Sequence, residues 1–124
     1  MPLYETIFIT RQEVSMQDVE KLTTGFAKAL TDNGATIVKT EQWGLRDLAY
    51  IIRKNTKGYY TMFAIDGPFS AVKEMERRMS LNENILRHLT VKVEKISKNP
   101  SPTIAKNNGE ETVEKGAEET SVEN

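Results

Sequence analysis

Apolar and polar residues alternate at the start of the chain, and this pattern predicts a β-strand over residues 3–9, LYETIFI. The pattern then changes to helical spacing, with apolar residues at Val19, Leu22, Phe26 and Leu30. Ser15 is a favourable N-cap for this helix, and Gly34 suits the position that follows its end. The first third of the chain is therefore predicted to be a strand followed by a helix.

A second strand is predicted to begin near Thr36 and to continue to Arg53, with a bulge or bend at Gly44. Residues 55–58 predict a hairpin connection because a glycine closes this polar stretch. Residues 59–66 then predict a third strand. Two long strands joined by a short turn would form an antiparallel ribbon.

Gly67 and Pro68 end the third strand, and Ser70 is the predicted cap of a second helix. The apolar residues of this helix are Val72, Met75 and Met79. A turn at 82–84 precedes the last predicted strand, Ile85–Val93.

The resulting order is βαββαβ. Right-handed crossovers turn this order into an α+β, ferredoxin-like fold, a four-stranded antiparallel sheet with two helices on one face. The other face stays open, although the third strand carries apolar residues on both sides. A protein partner is expected there, against the alternative of ordinary scattered surface residues. The candidate partner-binding residues are Ile7, Ile9, Tyr60 and Met62.

Charge divides the chain into a body and a tail. Residues 1–98 hold 15 Lys and Arg against 12 Asp and Glu, whereas residues 99–124 hold 2 against 6. The tail has few large aliphatic residues and no aromatic one, so we expect it to be disordered beside a mildly basic folded domain. No secretory signal and no apolar run of about 18 residues is evident, and we expect a cytoplasmic protein.

Catalytic chemistry has little support in the sequence. The chain has no cysteine and a single histidine, His88, so disulfides and thiolate metal sites are excluded. A structural role for His88 is favoured over a catalytic or metal-binding one, because both of those need converging partners. No nucleotide-binding or nucleophile motif occurs. We expect no catalytic residue, no metal, no cofactor and no small-molecule substrate.

The predicted ribbon is rich in cations. It carries Arg46, Arg53, Lys54 and Lys57. Such a concentration of positive charge, interleaved with aromatic rings, is typical of binding to RNA phosphates. The alternatives are that the lysines only protect an edge strand from aggregation, and that Trp43 and Tyr50 pack beneath the helices.

Two other binding classes fit less well. The RNA-recognition motif shares the βαββαβ order, but Thr61 and Ala64 stand where its third strand needs stacking rings. A regulatory or acyl-phosphate-cleaving domain needs an anion-binding loop after the first strand, and residues 10–13 contain no glycine.

Several segments together resemble the bacterial small-subunit ribosomal protein S-six family. They are Tyr4 and Glu5, residues 43–50 (WGLRDLAY), Lys54, residues 58–60, residues 81–87 (LNENILR) and residues 89–94 (LTVKVE). The resemblance covers nearly the whole body and implies a structural, non-enzymatic role in the small ribosomal subunit. It implies binding to the central domain of 16S ribosomal RNA together with protein S-eighteen. It also supports Arg46 and Lys54 as RNA contacts and adds Arg87 to them.

The tail generates a first prediction. Truncation after Lys98 should leave the melting midpoint and the affinity for the protein partner unchanged, because the tail has little apolar area to pack. A midpoint lowered by several degrees, or slow amide exchange beyond Asn99, would show that the tail packs on the body.

Some members of the family carry added glutamate chains at an acidic C-terminus, but this chain ends in Ser-Val-Glu-Asn and we do not expect them here.

Overall fold

Six elements follow one another in the predicted βαββαβ order. They are β1 (Leu3–Arg11), α1 (Met16–Asp32), β2 (Thr36–Ile52), β3 (Asn55–Asp66), α2 (Phe69–Leu81) and β4 (Ile85–Val93). This computed structural model describes residues 2–96, so the predicted tail, 99–124, lies outside the described residues. The strands form one antiparallel sheet in the order β2-β3-β1-β4, which confirms the ferredoxin-like prediction.

Helix α1 begins and ends as its sequence predicts. The Ser15 hydroxyl accepts a hydrogen bond from the Asp18 backbone N–H at 3.1 Å, which satisfies one of the free donors of the first turn. At the other end Gly34 has φ +92°, a backbone conformation that glycine adopts without strain.

The predicted cap of α2 is wrong by two residues. Pro68 occupies the extended N-cap position, and its carbonyl accepts a bond from the Ala71 N–H at 3.1 Å. Proline is tolerated at this position because it has no N–H that would need a hydrogen-bond partner. Ser70 is therefore already inside the helix and cannot cap it.

The turn of the β2–β3 ribbon also differs from its prediction. Ile52 pairs with Asn55, so the connection consists of Arg53 and Lys54 and not of residues 55–58. Both have positive φ, 47° and 68°, the combination that type I′ hairpin turns require. Non-glycine residues lose about 1–2 kcal/mol each in this conformation, so the turn has to be held by its surroundings.

Gly58 allows β3 to approach β1 closely, instead of forming the turn. A Cβ atom on Gly58 would lie 2.4 Å from the Ile9 Cγ2 atom and 3.1 Å from the Thr10 carbonyl oxygen. The predicted bulge at Gly44 is confirmed, since Gly44 has φ +83° and the register shifts between Gln42 and Gly44.

The core lies between the sheet and the helices. The rings of Phe8 and Phe26 meet edge to face at 5.3 Å, and Phe63 packs beside them. Met75 and Met79 of α2 are buried against the same cluster, as their spacing predicts. Within residues 2–96, no helix or strand covers the opposite side of the sheet.

The strand register assigns each paired residue to a face of the sheet. Phe8 faces the helices and lies opposite Thr61 and His88, so those two share its face. Alternation then places Leu89 and Val91 of β4 on the open face. The sequence left the facing of β4 undecided, because polar and apolar residues alternate there without a clear buried side. Within residues 2–96 no helix is long and apolar enough to span a membrane.

The two glycines Gly58 and Gly25 allow a matched test of this packing. Gly58→Ala should destabilise the chain by about 1–3 kcal/mol, because the added methyl group overlaps Ile9 and a backbone carbonyl. Gly25→Ala, in α1 with no atom within 4 Å of the new methyl group, should stabilise it by about 0.5–1 kcal/mol. Urea denaturation would measure both, and equal midpoints would contradict the close approach at Gly58.

Candidate nucleic-acid and protein interface

Three cations converge at the tip of the β2–β3 ribbon. Arg53 and Lys54 form the turn, and the Arg53 Nη1 atom donates to the Glu83 carbonyl oxygen at 3.3 Å. From β4, the Arg87 guanidinium lies 5.1 Å from the centre of the Tyr50 ring. We call Arg53, Lys54 and Arg87 the tip cluster.

A large bulge in β2 explains how the ribbon reaches β4 across the sheet. Asp47 pairs with Lys57 and Ile52 with Asn55, so β2 has residues 48–51 where β3 has only Thr56. Surplus residues in one strand bend a ribbon. The bend brings Tyr50 to Arg87, although β2 and β4 are opposite edges of the sheet.

A buried asparagine fixes the base of the tip. Asn55 is 2% exposed, and its Nδ2 atom donates to the Arg53 carbonyl at 3.0 Å. Its Oδ1 atom accepts from the Gln12 backbone N–H at 3.3 Å, and the Gln12 side chain accepts from the Lys57 N–H at 3.0 Å. These bonds tie the ribbon to the loop after β1, so the strained turn has a defined position.

The tip cluster lacks the counter-charge that the two arginines of α2 have. None of its members forms a salt bridge with a carboxylate within residues 2–96. On α2, by contrast, Arg77 and Arg78 both bond Glu74, at 2.9 and 2.7 Å, and these bonds lower the pKa of Glu74 to about 2. Arg77 and Arg78 are already compensated by Glu74, whereas the tip cations carry an uncompensated positive charge.

The other two predicted RNA-binding residues lie apart from the tip cluster. Lys57 is 3.9 Å from the Asp47 carboxylate, at an exposed position on the ribbon. Arg46 lies on the open face, where its Nε atom donates to the Trp43 carbonyl at 3.1 Å and its guanidinium stacks 5.6 Å from the Trp43 ring centre. Burial lowers the pKa of Arg46.

Neither Trp43 nor Tyr50 packs beneath the helices, which excludes that alternative. Trp43 lies parallel to Tyr60, with ring centres 6.3 Å apart, and its Nε1 atom donates to Glu41 at 2.9 Å. Tyr50 is mostly exposed beside Arg87. Trp43 therefore belongs to the open face, and Tyr50 belongs to the tip cluster.

The four predicted partner-binding residues all lie on the open face, with unequal access. Ile9 and Met62 are only 8% and 3% exposed, because neighbouring side chains cover them, whereas Ile7 and Tyr60 are half-buried. The accessible apolar area lies instead on β4, where Leu89 is 60% and Val91 is 37% exposed.

Three charged residues of the open face, Glu5, Lys39 and Glu41, were not predicted as functional. Lys39 lies 3.2 Å from the carboxylate of the buried residue Glu41. Burial raises the pKa of Glu5, Lys39 opposes this shift and Glu41 adds to it. Glu5 lies between Leu3 and Ile7 at alternate positions of β1, so the sequence already places a carboxylate on an otherwise apolar strand face.

His88 links β4 to α2. Its Nε2 atom is 3.2 Å from the Ser80 hydroxyl, and its Nδ1 atom is 4.0 Å from the Glu76 carboxylate. In the part of the chain that the structure describes, no group of His, Asp and Glu is arranged to hold a metal ion.

Known proteins are similar to this chain in both sequence and fold. A sequence profile of the family described as "Ribosomal protein S6" matches residues 3–92. The "Small ribosomal subunit protein bS6" of Rickettsia prowazekii is 47% identical over 112 residues, which is 90% of this chain and 93% of that protein. The protein of the same name from Paramagnetospirillum magneticum is 50% identical over 101 residues, 82% of this chain and 70% of that protein.

A solved structure with a similar fold has the same family name as these relatives. The crystal structure of 30S ribosomal protein S6 from Thermotoga maritima superposes with a TM-score of 0.71 at 27% identity, over 74% of this chain and 87% of that one. The profile match covers most of the chain, and the two relatives match this chain over 93% and 70% of their own lengths. The chain therefore belongs to the ribosomal protein S6 family.

Proposed function

We propose that this chain is a structural, non-catalytic component of the small ribosomal subunit in the cytoplasm. In this role it binds the central domain of 16S ribosomal RNA together with protein S-eighteen while the subunit assembles. Membership of the family supports the ribosomal role, and the resemblance described above supports the two partners. The main support for the RNA contact is that the three cations of the tip cluster have no carboxylate partner in residues 2–96.

Phosphate groups fit the tip cluster better than other ligands do. Two of its members are arginines, whose planar forks can bind two phosphate oxygens at once. Stacking on Tyr50 and the bond to Glu83 hold these forks before RNA arrives, so less side-chain entropy is lost on binding. Arg46 and Lys57 remain in the proposal as additional phosphate contacts beside the tip.

The open face is proposed to receive the protein partner. Its accessible apolar side chains, Leu89 and Val91 with Ile7 beside them, would lose water against another protein. RNA offers charged phosphates there instead, and carboxylates occupy the same face. Ile9, Tyr60 and Met62 would support this surface from below more than they contact the partner.

The domain organisation forms part of the proposal. Residues 1–98 would supply both binding surfaces, and residues 99–124 would extend from this body as an acidic tail. Its net negative charge disfavours contact with anionic RNA.

Removing the tip cations should weaken RNA binding through salt-dependent contacts. The triple variant Arg53→Gln, Lys54→Gln and Arg87→Gln should lower the slope of log affinity against log salt by about three, since each phosphate contact contributes about one. Filter binding to 16S central-domain RNA with protein S-eighteen present would measure this slope.

The matched control removes three positive charges elsewhere. Lys28→Gln, Arg77→Gln and Arg78→Gln change the net charge equally, but these cations are already paired with Asp32 and Glu74. This control should keep the slope of the unmodified chain. If both triple variants lose the same slope, general electrostatic attraction and not the tip cluster binds the RNA.

The partner surface can be tested at its most exposed apolar position. Leu89→Asp should reduce the affinity for protein S-eighteen by at least about 30-fold, a hot-spot loss of about 2 kcal/mol, because an unpaired charge would be buried. Isothermal titration calorimetry measures this affinity. Met16→Asp is the control, since Met16 is an exposed apolar residue at the start of α1, where a carboxylate favours the helix. Equal affinities for the two variants would rule out the β4 side of the open face.

A further inference from the structure

Glu5 occupies an unusual place on the open face. It lies on β1, an interior strand, directly opposite Ala64 on β3 and Val91 on β4. Its neighbours on the same face of β1 are Leu3 and Ile7. A carboxylate in this apolar setting is half-buried even before any partner covers it.

The one ammonium beside Glu5, that of Lys39, is shared with Glu41 and offsets only part of the charge. The Glu5 carboxylate makes no hydrogen bond or ion pair with any residue from 2 to 96. From β2, Lys39 and Glu41 face it, and the Lys39 ammonium is 3.2 Å from Glu41. From β3, Asp66 shares the face, and its Oδ1 atom is buried without a hydrogen-bond partner in the described residues.

Beside Glu5, β4 adds no titratable group. Arg87 shares this face further along β4, opposite Ile9, with its guanidinium over the Tyr50 ring at the tip. Leu89, Val91 and Val93 alternate on that side, so the carboxylates of Glu5, Glu41 and Asp66 face a single ammonium, Lys39. This region therefore carries an excess of negative charge, although the ribbon beside it is basic. Anionic RNA is repelled here, and so is the same face of a second copy of this chain.

A partner that covers the exposed residues Leu89 and Val91 also covers Glu5. Val91, which is 37% exposed, lies directly opposite Glu5, so a partner that removes water from Val91 also removes it from Glu5. Desolvating an ionised carboxylate without a counter-charge opposes binding. A cation at the same point turns that penalty into a specific contact.

We propose that the protein partner inserts a lysine or arginine side chain, carried on an otherwise apolar segment, against Glu5 on the open face. This inference rests on the proposed function and names the chemistry of its protein contact. The cation pairs with Glu5, while the apolar residues around it cover Leu89 and Val91.

The proposal has a definite pH signature. In the free chain, burial raises the pKa of Glu5 above its ordinary value of 4.5. A partner cation favours the ionised form and so lowers that pKa in the complex. Affinity is then full above the raised pKa of the free chain and decreases as the pH falls below it. A purely apolar partner segment would raise the pKa further and make affinity decrease as the pH rises.

Glu5→Gln separates this role from a structural one. The variant should bind protein S-eighteen at least tenfold more weakly at pH 7 by calorimetry, and the pH dependence of affinity near the Glu5 pKa should disappear. Its own melting midpoint should stay the same or rise, because a desolvated charge has been removed. Glu20→Gln, at an exposed position on α1, removes the same charge and should change neither affinity nor its pH dependence.

Other outcomes overturn the proposal at different levels. Equal or tighter binding by Glu5→Gln overturns the role of Glu5 and leaves the proposed function intact. No complex with the unmodified chain overturns the proposed partner itself. A ¹³C NMR titration follows the Glu5 carboxyl group in the free chain. A Glu5 pKa that shifts on truncation after Lys98 would place the counter-charge in residues 99–124, and the partner would then have no such role.

Discussion

The close contact of the β2–β3 ribbon with β1 determines where both candidate surfaces lie. At Gly58 the ribbon backbone approaches Ile9 too closely for any side chain, and three residues earlier Asn55 bonds to the loop after β1. These two contacts fix the ribbon where it extends past the sheet. The tip then reaches β4, and the strained turn of Arg53 and Lys54 is held by bonds to Glu83 and Asn55. Without this anchoring, the cations would sit on a mobile hairpin and would lose more entropy on binding.

Much of the fold could be predicted from local pattern, because local pattern produces it. The Ser15 cap, the Gly44 bulge and the bounds of β4 depend on neighbours in sequence, and all three were predicted. The position of the β2–β3 turn was not predicted correctly. A glycine in a strand region can indicate either a positive φ or a close approach of two strands. Gly58 has the second role, and only the position of Ile9 reveals it.

The candidate surfaces were harder to predict because they depend on distant contacts. Sequence reasoning found the cations, yet the pairing of Arg87 with Tyr50 joins residues on opposite edges of the sheet. It also predicted Arg46 as an RNA contact, and the structure adds that Arg46 packs on Trp43, apart from the tip cluster. Glu5 was overlooked, because an acidic residue in an alternating strand normally indicates a solvated face. Its apolar neighbours across the sheet give it a different character.

The distribution of charge gives a physical reason for two separate surfaces in so small a chain. Positive charge without carboxylate partners collects at the tip, and negative charge collects around Glu5 on the open sheet. On the helices, Glu74 bonds both Arg77 and Arg78, and Lys28 pairs with Asp32, so these charges offset one another. An anionic ligand is therefore attracted to the tip and repelled from the sheet, and a cationic protein segment has the reverse preference. Under the proposed function, this arrangement directs each class of partner to its own side, so that RNA and protein bind together without competing for one surface.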